Sequence, residues 1–279
     1  MFGVILVTIG TFFQEISDSI GKYKVENQEE SPFAMGFLSL FWGTILFALI
    51  SLVNRDAFVF SLNSLPTFSV RLILEIVQLY VTVFAIIKAD RTTFNFVRTI
   101  TIPLLLLADL TLGYHIGFPA RVGMSVIVFT LLVLFSTRSI KKEGIGLVAF
   151  TAVNAVITLS LFKYDITHFN SVAAEQLLIY FVLLVCFFIL ATFRAKENLF
   201  VFLTKPIFLL QSASTGFGGV IESFGFNFGA ASVMVAAKRS SAIFWSLIAG
   251  KTFFREKHMV FKFLVFFVLL IGLVLLAIN

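Results

Sequence analysis

Ten apolar runs, most of them close to a membrane thickness in helical length and separated only by short polar or Pro/Gly breaks, account for nearly the whole chain. About 20 mostly apolar residues are what an α-helix needs to cross the hydrocarbon of a bilayer. Inside lipid every backbone N–H and C=O must be satisfied within its own segment, so runs of this length are expected to be helices. They lie at Phe2 to Ile20, Phe33 to Val53, Ser69 to Ile87, Thr92 to Leu112, Pro119 to Phe135, Gly144 to Phe162, Ser171 to Phe193, Pro206 to Phe224, Ala230 to Gly250 and Met259 to Ile278. The longest connections, around Lys22 to Ser31, Asn54 to Thr67 and Arg194 to Lys205, are too short to fold by themselves.

Composition points the same way. Charged residues are 13% and hydrophobic ones 59% of the 279 residues, whereas a soluble domain carries about a quarter charged. The fold class expected is all-α integral membrane, multi-pass in a plasma or inner cell membrane, with the lipid bilayer as its standing partner. Met1-Phe2-Gly3 lacks a basic leader region, and Glu15 and Asp18 fall where the apolar heart of a signal peptide would be, so the first run is expected to be a permanent span. The net charge of +6 is scattered between the runs without a basic stripe, which argues for a topology signal and against nucleic acid. Cys186 is the single cysteine, so an internal disulfide is excluded.

Sliding the sequence against itself finds one offset, 141 residues. Gly3, Leu6 and Val7 match Gly144, Leu147 and Val148; Lys22-Tyr23 matches Lys163-Tyr164; Arg98 falls on Arg239. In the third and eighth runs the offset becomes 140, pairing Pro66 with Pro206. Residues 1–140 and 141–279 are therefore expected to be two five-helix repeats. Five is odd, so the second copy would be inserted in the opposite sense, giving ten transmembrane helices as two inverted repeats around a central cavity.

Ionisable groups at membrane depth are costly unless they face protein or water, so their spacing marks the wet part of a bundle. Thr8, Thr11, Glu15, Asp18 and Lys22 recur in steps of three and four on one face of the first span. Arg71, Glu75, Gln78 and Thr82 do so in the third, and Gln211, Thr215, Gly218 and Glu222 echo them in the eighth. Thr151, Asn154 and Thr158 mark the sixth, Asn95, Arg98 and Asp109 the fourth, and Lys238, Arg239, Ser240 and Ser241 the ninth. These six spans are expected to surround the cavity. The second, fifth, seventh and tenth are expected to be lipid-facing walls, with Glu175 and Lys262 near their ends, where snorkelling suffices. Against this stands a plainer role for any one residue: a Thr hydroxyl can bond its own helix, and an ion pair can simply glue helices together. The small residues from Ser212 to Gly219 suit close helix packing, and Pro103 is expected to kink the fourth span.

The ninth-span stretch GAASVMVAAKRSSAIFWSLIAGKTFFREK from Gly229, and its partner TTFNFVRTITIPLLLLADLTLG from Thr92, carry a small-residue entry, a basic residue, a following proline and a late acid: Arg98 with Pro103, and Arg239 with Glu256. Phe244 stands where the second proline would be, and the first copy lacks the late acid unless Asp109 takes its place. The chain resembles the drug/metabolite transporter superfamily, specifically its ten-helix EamA-like members, essentially from end to end. The resemblance implies a carrier whose central cavity is lined by the helices that bear the polar stripes. Glu15 also resembles the proton-coupling first-helix carboxylate of four-helix multidrug members, shifted by one position relative to Lys22.

The functional expectation is secondary active transport of a small polar metabolite by alternating access. Glu15 and Asp18 are candidate proton or cation sites, and Arg98, Lys238 and Arg239 are candidate anchors for carboxylate or phosphate. Glu75, Gln78, Asn154 and Gln211 complete the candidate substrate-binding set. A basic neighbour would make Glu15 structural rather than proton-carrying. The alternatives are a lipid or lipid-linked-sugar flippase of the same fold, and a membrane-embedded enzyme. For the enzyme the sequence offers no constellation: His115, His168 and His258 lie near span ends, and no histidine lies near Cys186 in sequence. No metal and no cofactor is expected. The basic loops, which hold Lys22, Lys24, Arg138, Lys141 and Arg194 among others, place both termini outside, whereas the family resemblance places them inside.

Overall fold

A computed structural model describes residues 2–54, 58–111, 117–136, 142–229 and 231–277. The boundary between the two expected repeats, His115, Arg138 and Lys141 lie outside the described residues. The described chain is helical throughout, with no strand among the described residues. Its helices are α1 (Phe2–Glu26), α2 (Pro32–Val53), α3 (Leu65–Lys88), α4 (Arg91–Arg98), α5 (Thr101–Thr111), α6 (Phe118–Ser136), α7 (Ile145–His168), α8 (Val172–Ile189), α9 (Leu199–Leu203), α10 (Pro206–Gly225), α11 (Ala231–Thr252) and α12 (Met259–Ala277). Four segments, Pro32–Val53, Leu62–Lys88, Ile145–His168 and Val172–Arg194, are long and apolar enough to cross a membrane.

Local chemistry sets the helix boundaries. Ser31 caps α2 by accepting the Ala34 N–H at 3.1 Å, and Ser171 caps α8 by accepting the Ala174 N–H at 3.2 Å. Each cap is also clasped from a distant part of the chain. The Ser31 N–H donates to Glu197 Oε1 at 2.9 Å, while Ser171 and Val59 exchange bonds of 2.8 and 3.1 Å. Pro32, Pro66 and Pro206 open α2, α3 and α10, where a missing N–H costs nothing. Pro103 acts in the opposite way. It cannot donate to the Thr99 carbonyl, and the run expected as one kinked span is divided there into α4 and α5.

Packing brings α1 along α10, α3 along α7, α2 against α8 and α10, and α6 against α12, while α11 bridges α1, α4 and α12. Glycines decide how close α10 comes. A Cβ on Gly218 would stand 2.5 Å from the Gly10 carbonyl oxygen, and one on Gly216 would stand 2.7 Å from the Gly43 nitrogen. Two apolar clusters fill the bundle, one around Phe47, Phe96, Phe162 and Phe226, the other around Phe37, Leu38, Phe94 and Phe187. The second and seventh spans, expected as lipid-facing walls, each also carry a buried face. Phe33, Phe37, Leu38 and Phe47 of α2, and Glu175, Gln176 and Ile179 of α8, are buried because these helices pack across each other inside the bundle.

The glycine seam predicts an asymmetric response to one added methyl. Gly218→Ala pushes first against the Gly10 backbone carbonyl, which cannot swing aside as a side chain can, and is expected to lose about 1–3 kcal/mol of stability. Gly146, which nothing approaches within 4 Å, is expected to tolerate alanine without loss. Thermal unfolding of the two variants in detergent tests this, and equal midpoints would refute the seam.

Candidate functional site: a polar cavity with unpaired arginines

The stripes on α3, α10 and α11 converge with α8 and the end of α4 on a cavity of about 170 Å³. Arg71, Glu75 and Gln78 enter it from α3, Arg98 from α4, Gln176 and Tyr180 from α8, Glu222 and Ser223 from α10, and Lys238 with Arg239 from α11. Gln14 of α1 and Thr158 of α7 complete its polar lining. Arg71 donates to Glu175 Oε1 at 2.7 Å and to Gln176 Oε1 at 3.1 Å, with Glu75 3.8 Å away and the Phe162 ring 4.5 Å beneath its guanidinium. Lys238 is hydrogen-bonded to Glu222.

Arg98 and Arg239 are different. Arg98 lies over the Phe94 ring at 5.1 Å, close enough to Lys238 and Arg239 for the three cations to repel one another. The Nε of each arginine is buried and meets no acceptor, and among the described residues no carboxylate stands within ion-pair distance of either. Arginine does not shed its proton in proteins, so the charge has to be answered from elsewhere.

Of the nine residues expected to bind substrate, Glu75, Gln78, Arg98, Lys238 and Arg239 line this cavity. Asn154 stands behind it, donating to Gln78 Oε1 at 2.8 Å and to the Leu74 carbonyl at 3.0 Å, which fixes the Gln78 amide. Glu15, Asp18 and Gln211 go elsewhere. Both Glu15 oxygens are occupied, one by Arg91 at 2.7 Å and the other by Asn95 at 2.8 Å, and Asp18 takes a second bond from Arg91 at 3.2 Å. Arg91 is thus the basic neighbour that makes Glu15 a bridge from α1 to α4. Gln211 donates to Glu30 at 3.1 Å, ahead of α2. The reason is length: a polar stripe running fourteen residues along a helix covers about 21 Å, too far to reach one small chamber.

Beyond the cavity, the rim that carries the C-termini of α1, α3 and α11 is closed by charge. Lys22 Nζ donates to the carbonyls of Ile86, Ile87 and Ala89 at 3.1, 3.0 and 2.5 Å, capping α3. Lys262 reaches Thr92 Oγ1 at 2.6 Å and Glu256 Oε2 at 2.9 Å, and Thr92 also bonds Glu256. Lys262 and Glu175 are 1% and 0% exposed, so neither snorkels; each sits in a buried ion network. Sequence reasoning missed Arg91, Gln176 and Tyr180 as polar organisers. The spacing of four between Gln176 and Tyr180 was the available signal, hidden in a strongly apolar run.

At this same rim Glu30 is buried between Gln211 and Glu197. Loss of solvent is the main cause that pushes its carboxyl up to about 8 from an ordinary 4.5; the Glu197 charge adds to the shift and the Gln211 bond opposes it. The folded state therefore holds a proton that the unfolded chain releases from about pH 4.5 upward, and stability falls as pH rises towards 8. Glu30→Gln is expected to flatten this decline, matching the parent below pH 4.5 and exceeding it by on the order of a few kcal/mol above pH 8. Melting curves across that range check it, and an unchanged slope would remove Glu30 from the pH response. Comparison with protein-family models and with curated proteins finds no match, so the geometry carries the functional reading.

Proposed function

We propose that this chain is a secondary transporter of a small polar anion, a carboxylate or a phosphate, working by alternating access in the manner of the drug/metabolite transporter superfamily. The observation that carries the reading is the meeting of Arg98 and Arg239 in one cavity with, among the described residues, no carboxylate at ion-pair distance from either. Like charges brought together away from water repel strongly. A ligand with two or more negative oxygens relieves that repulsion and matches the guanidinium fork. The cavity volume suits a solute of a few heavy atoms with some of its water, since one water takes about 30 Å³.

Paired contacts support a two-repeat architecture in which α4 with α5 makes one crossing and the whole chain makes ten. Lys22 caps the end of α3 through the Ile86 carbonyl, and Lys163, 141 positions later, caps the end of α10 through the Phe226 carbonyl at 2.8 Å. Ser31 and Ser171, 140 apart, cap α2 and α8 through the same atoms. Arg98 and Arg239 are themselves such a pair. The equivalence is most unequal at a contact that suits a carrier caught in one state: α2 lies closely along α10, whereas α8 and α3, their counterparts, meet far less. Exchange of those two contacts would close the cavity on one side and open it on the other. The charge-closed rim is the one richer in Lys and Arg, so the positive-inside rule puts it in the cytoplasm and turns the cavity outward.

A lipid-moving alternative draws on a second feature, an apolar groove of about 670 Å³ along α1 and α11 lined by Phe12, Ile16, Ile20, Trp245 and Ile248. Scoring fluorescent-lipid crossing in reconstituted vesicles separates it from solute transport.

Calorimetry on the detergent-purified chain with inorganic phosphate, sulfate and short dicarboxylates is expected to find a binder among them. Arg98→Ala and Arg239→Ala are each expected to weaken it at least tenfold, because a charge-assisted hydrogen bond contributes about 1.5–3 kcal/mol. Arg194→Ala, at an exposed position, is expected to leave affinity unchanged. Affinity indifferent to both cavity arginines would sink the anion reading.

A further inference from the structure

Next to the cavity, and joined to it by one side chain, is a second polar cluster. Asp165, in the last turn of α7, is fully buried; Thr67 donates to its Oδ1 at 2.5 Å, and its Oδ2 meets no donor. Glu175, in the first turn of α8, is also fully buried and stands within hydrogen-bonding reach of Asp165. The Glu175 oxygens already receive Arg71 at 2.7 Å and Asn170 at 2.6 Å. Asn170 is in turn held by Ser64, to which it donates at 2.9 Å.

Two carboxyl groups in contact are both acceptors, and an ionised oxygen left without a donor in the protein interior is costly. Cations do not resolve the problem. Arg71 from α3 serves Glu175 and is flanked by Glu75. Lys163 of α7 is turned away to the Phe226 carbonyl, His168 is exposed, and Glu222 of α10 is taken by Lys238. A proton resolves it at once, converting one acid into a donor to the other. We infer that Asp165 and Glu175 share one bound proton and form the proton site of this protein, linked to the cavity by Arg71.

The link follows from what Arg71 touches. It lines the cavity and at the same time supplies the charge that holds Glu175 ionised. An anion arriving in the cavity competes for that guanidinium. As Arg71 turns towards the anion, Glu175 loses its counter-charge and takes up a second proton: the new carboxyl O–H bond forms as hydronium or a buffer acid in the solvent gives up that proton and leaves as water or the buffer's conjugate base. Anion and proton are then bound together, and release of one favours release of the other, which is the requirement for symport. This coupling rests on the transport reading above; the shared proton does not.

Infrared difference spectra of the whole chain in detergent, recorded while pH is stepped across neutrality, test the proton directly. The Glu30→Gln background removes a rim carboxyl expected to titrate there. The parent is expected to show the carbonyl stretch of a protonated carboxylic acid, and Asp165→Asn and Glu175→Gln are each expected to abolish it. Thr67→Val keeps both acids and is expected to shift the band without removing it, which covers the case in which an acid variant does not fold. No band in the parent, a band indifferent to all three variants, or sodium binding at the pair in its place overturns the proposal. Sulfate, which does not titrate near neutrality, tests the coupling: its binding is expected to move the band's midpoint to higher pH. Bound sulfate with an unmoved midpoint overturns the link through Arg71. Absence of any anion binding instead overturns the transport reading, while the infrared band still decides the proton site.

Discussion

The cost of removing charge from water governs this structure more than any apolar contact does. Lipid-like surroundings offer no solvation, so an Arg, Lys, Asp or Glu within the bundle has to be answered by another protein group or by something the protein admits. Arg91, Lys22, Lys262 and Arg71 are answered internally, by carboxylates or by helix-end carbonyls. Once those are assigned, what is left over is informative. Among the described residues two arginines without a carboxylate at ion-pair distance remain, and beside them a buried carboxylate oxygen, Asp165 Oδ2, that no donor meets; the first asks for an anion and the second for a proton.

Much of the architecture was legible from the chain itself. The ten apolar runs became helices, the proline at 103 marked the break, and the capping serines and N-terminal prolines set the starts. The arginine pair, rare in apolar sequence and matched by spacing alone, lies in one cavity. What sequence did not reveal was where each long polar stripe ends up. Glu15 and Asp18 share a face with Lys22, yet two turns of helix separate the middle of α1 from its end, and the partner that claims them, Arg91, comes from the first turn of α4. Gln211 aligns with Arg71 by the repeat, but it meets Glu30 at the rim while Arg71 meets the cavity.

The same limit explains α8. Its run is so apolar that hydropathy alone places it against lipid, and its polar residues, Glu175 and Gln176, sit in the first turn, where an end residue reads as interfacial. Burial there comes from tertiary context, because α2 and α3 cover that turn and Asn170 folds back on it. Periodicity reports which side of a helix is polar; it does not report which neighbour that side will face.

The two clasped serine caps have a mechanical consequence. Ser31 is gripped by Glu197 and Ser171 by the backbone of Val59, so the start of α2 is tied to the stretch following α8, and the start of α8 to the stretch following α2. The ties are reciprocal and lie at opposite ends of the bundle. Neither part of the chain can drift away from the other as a free body; with both knots kept, relative movement is confined to a rocking about the diagonal that joins them.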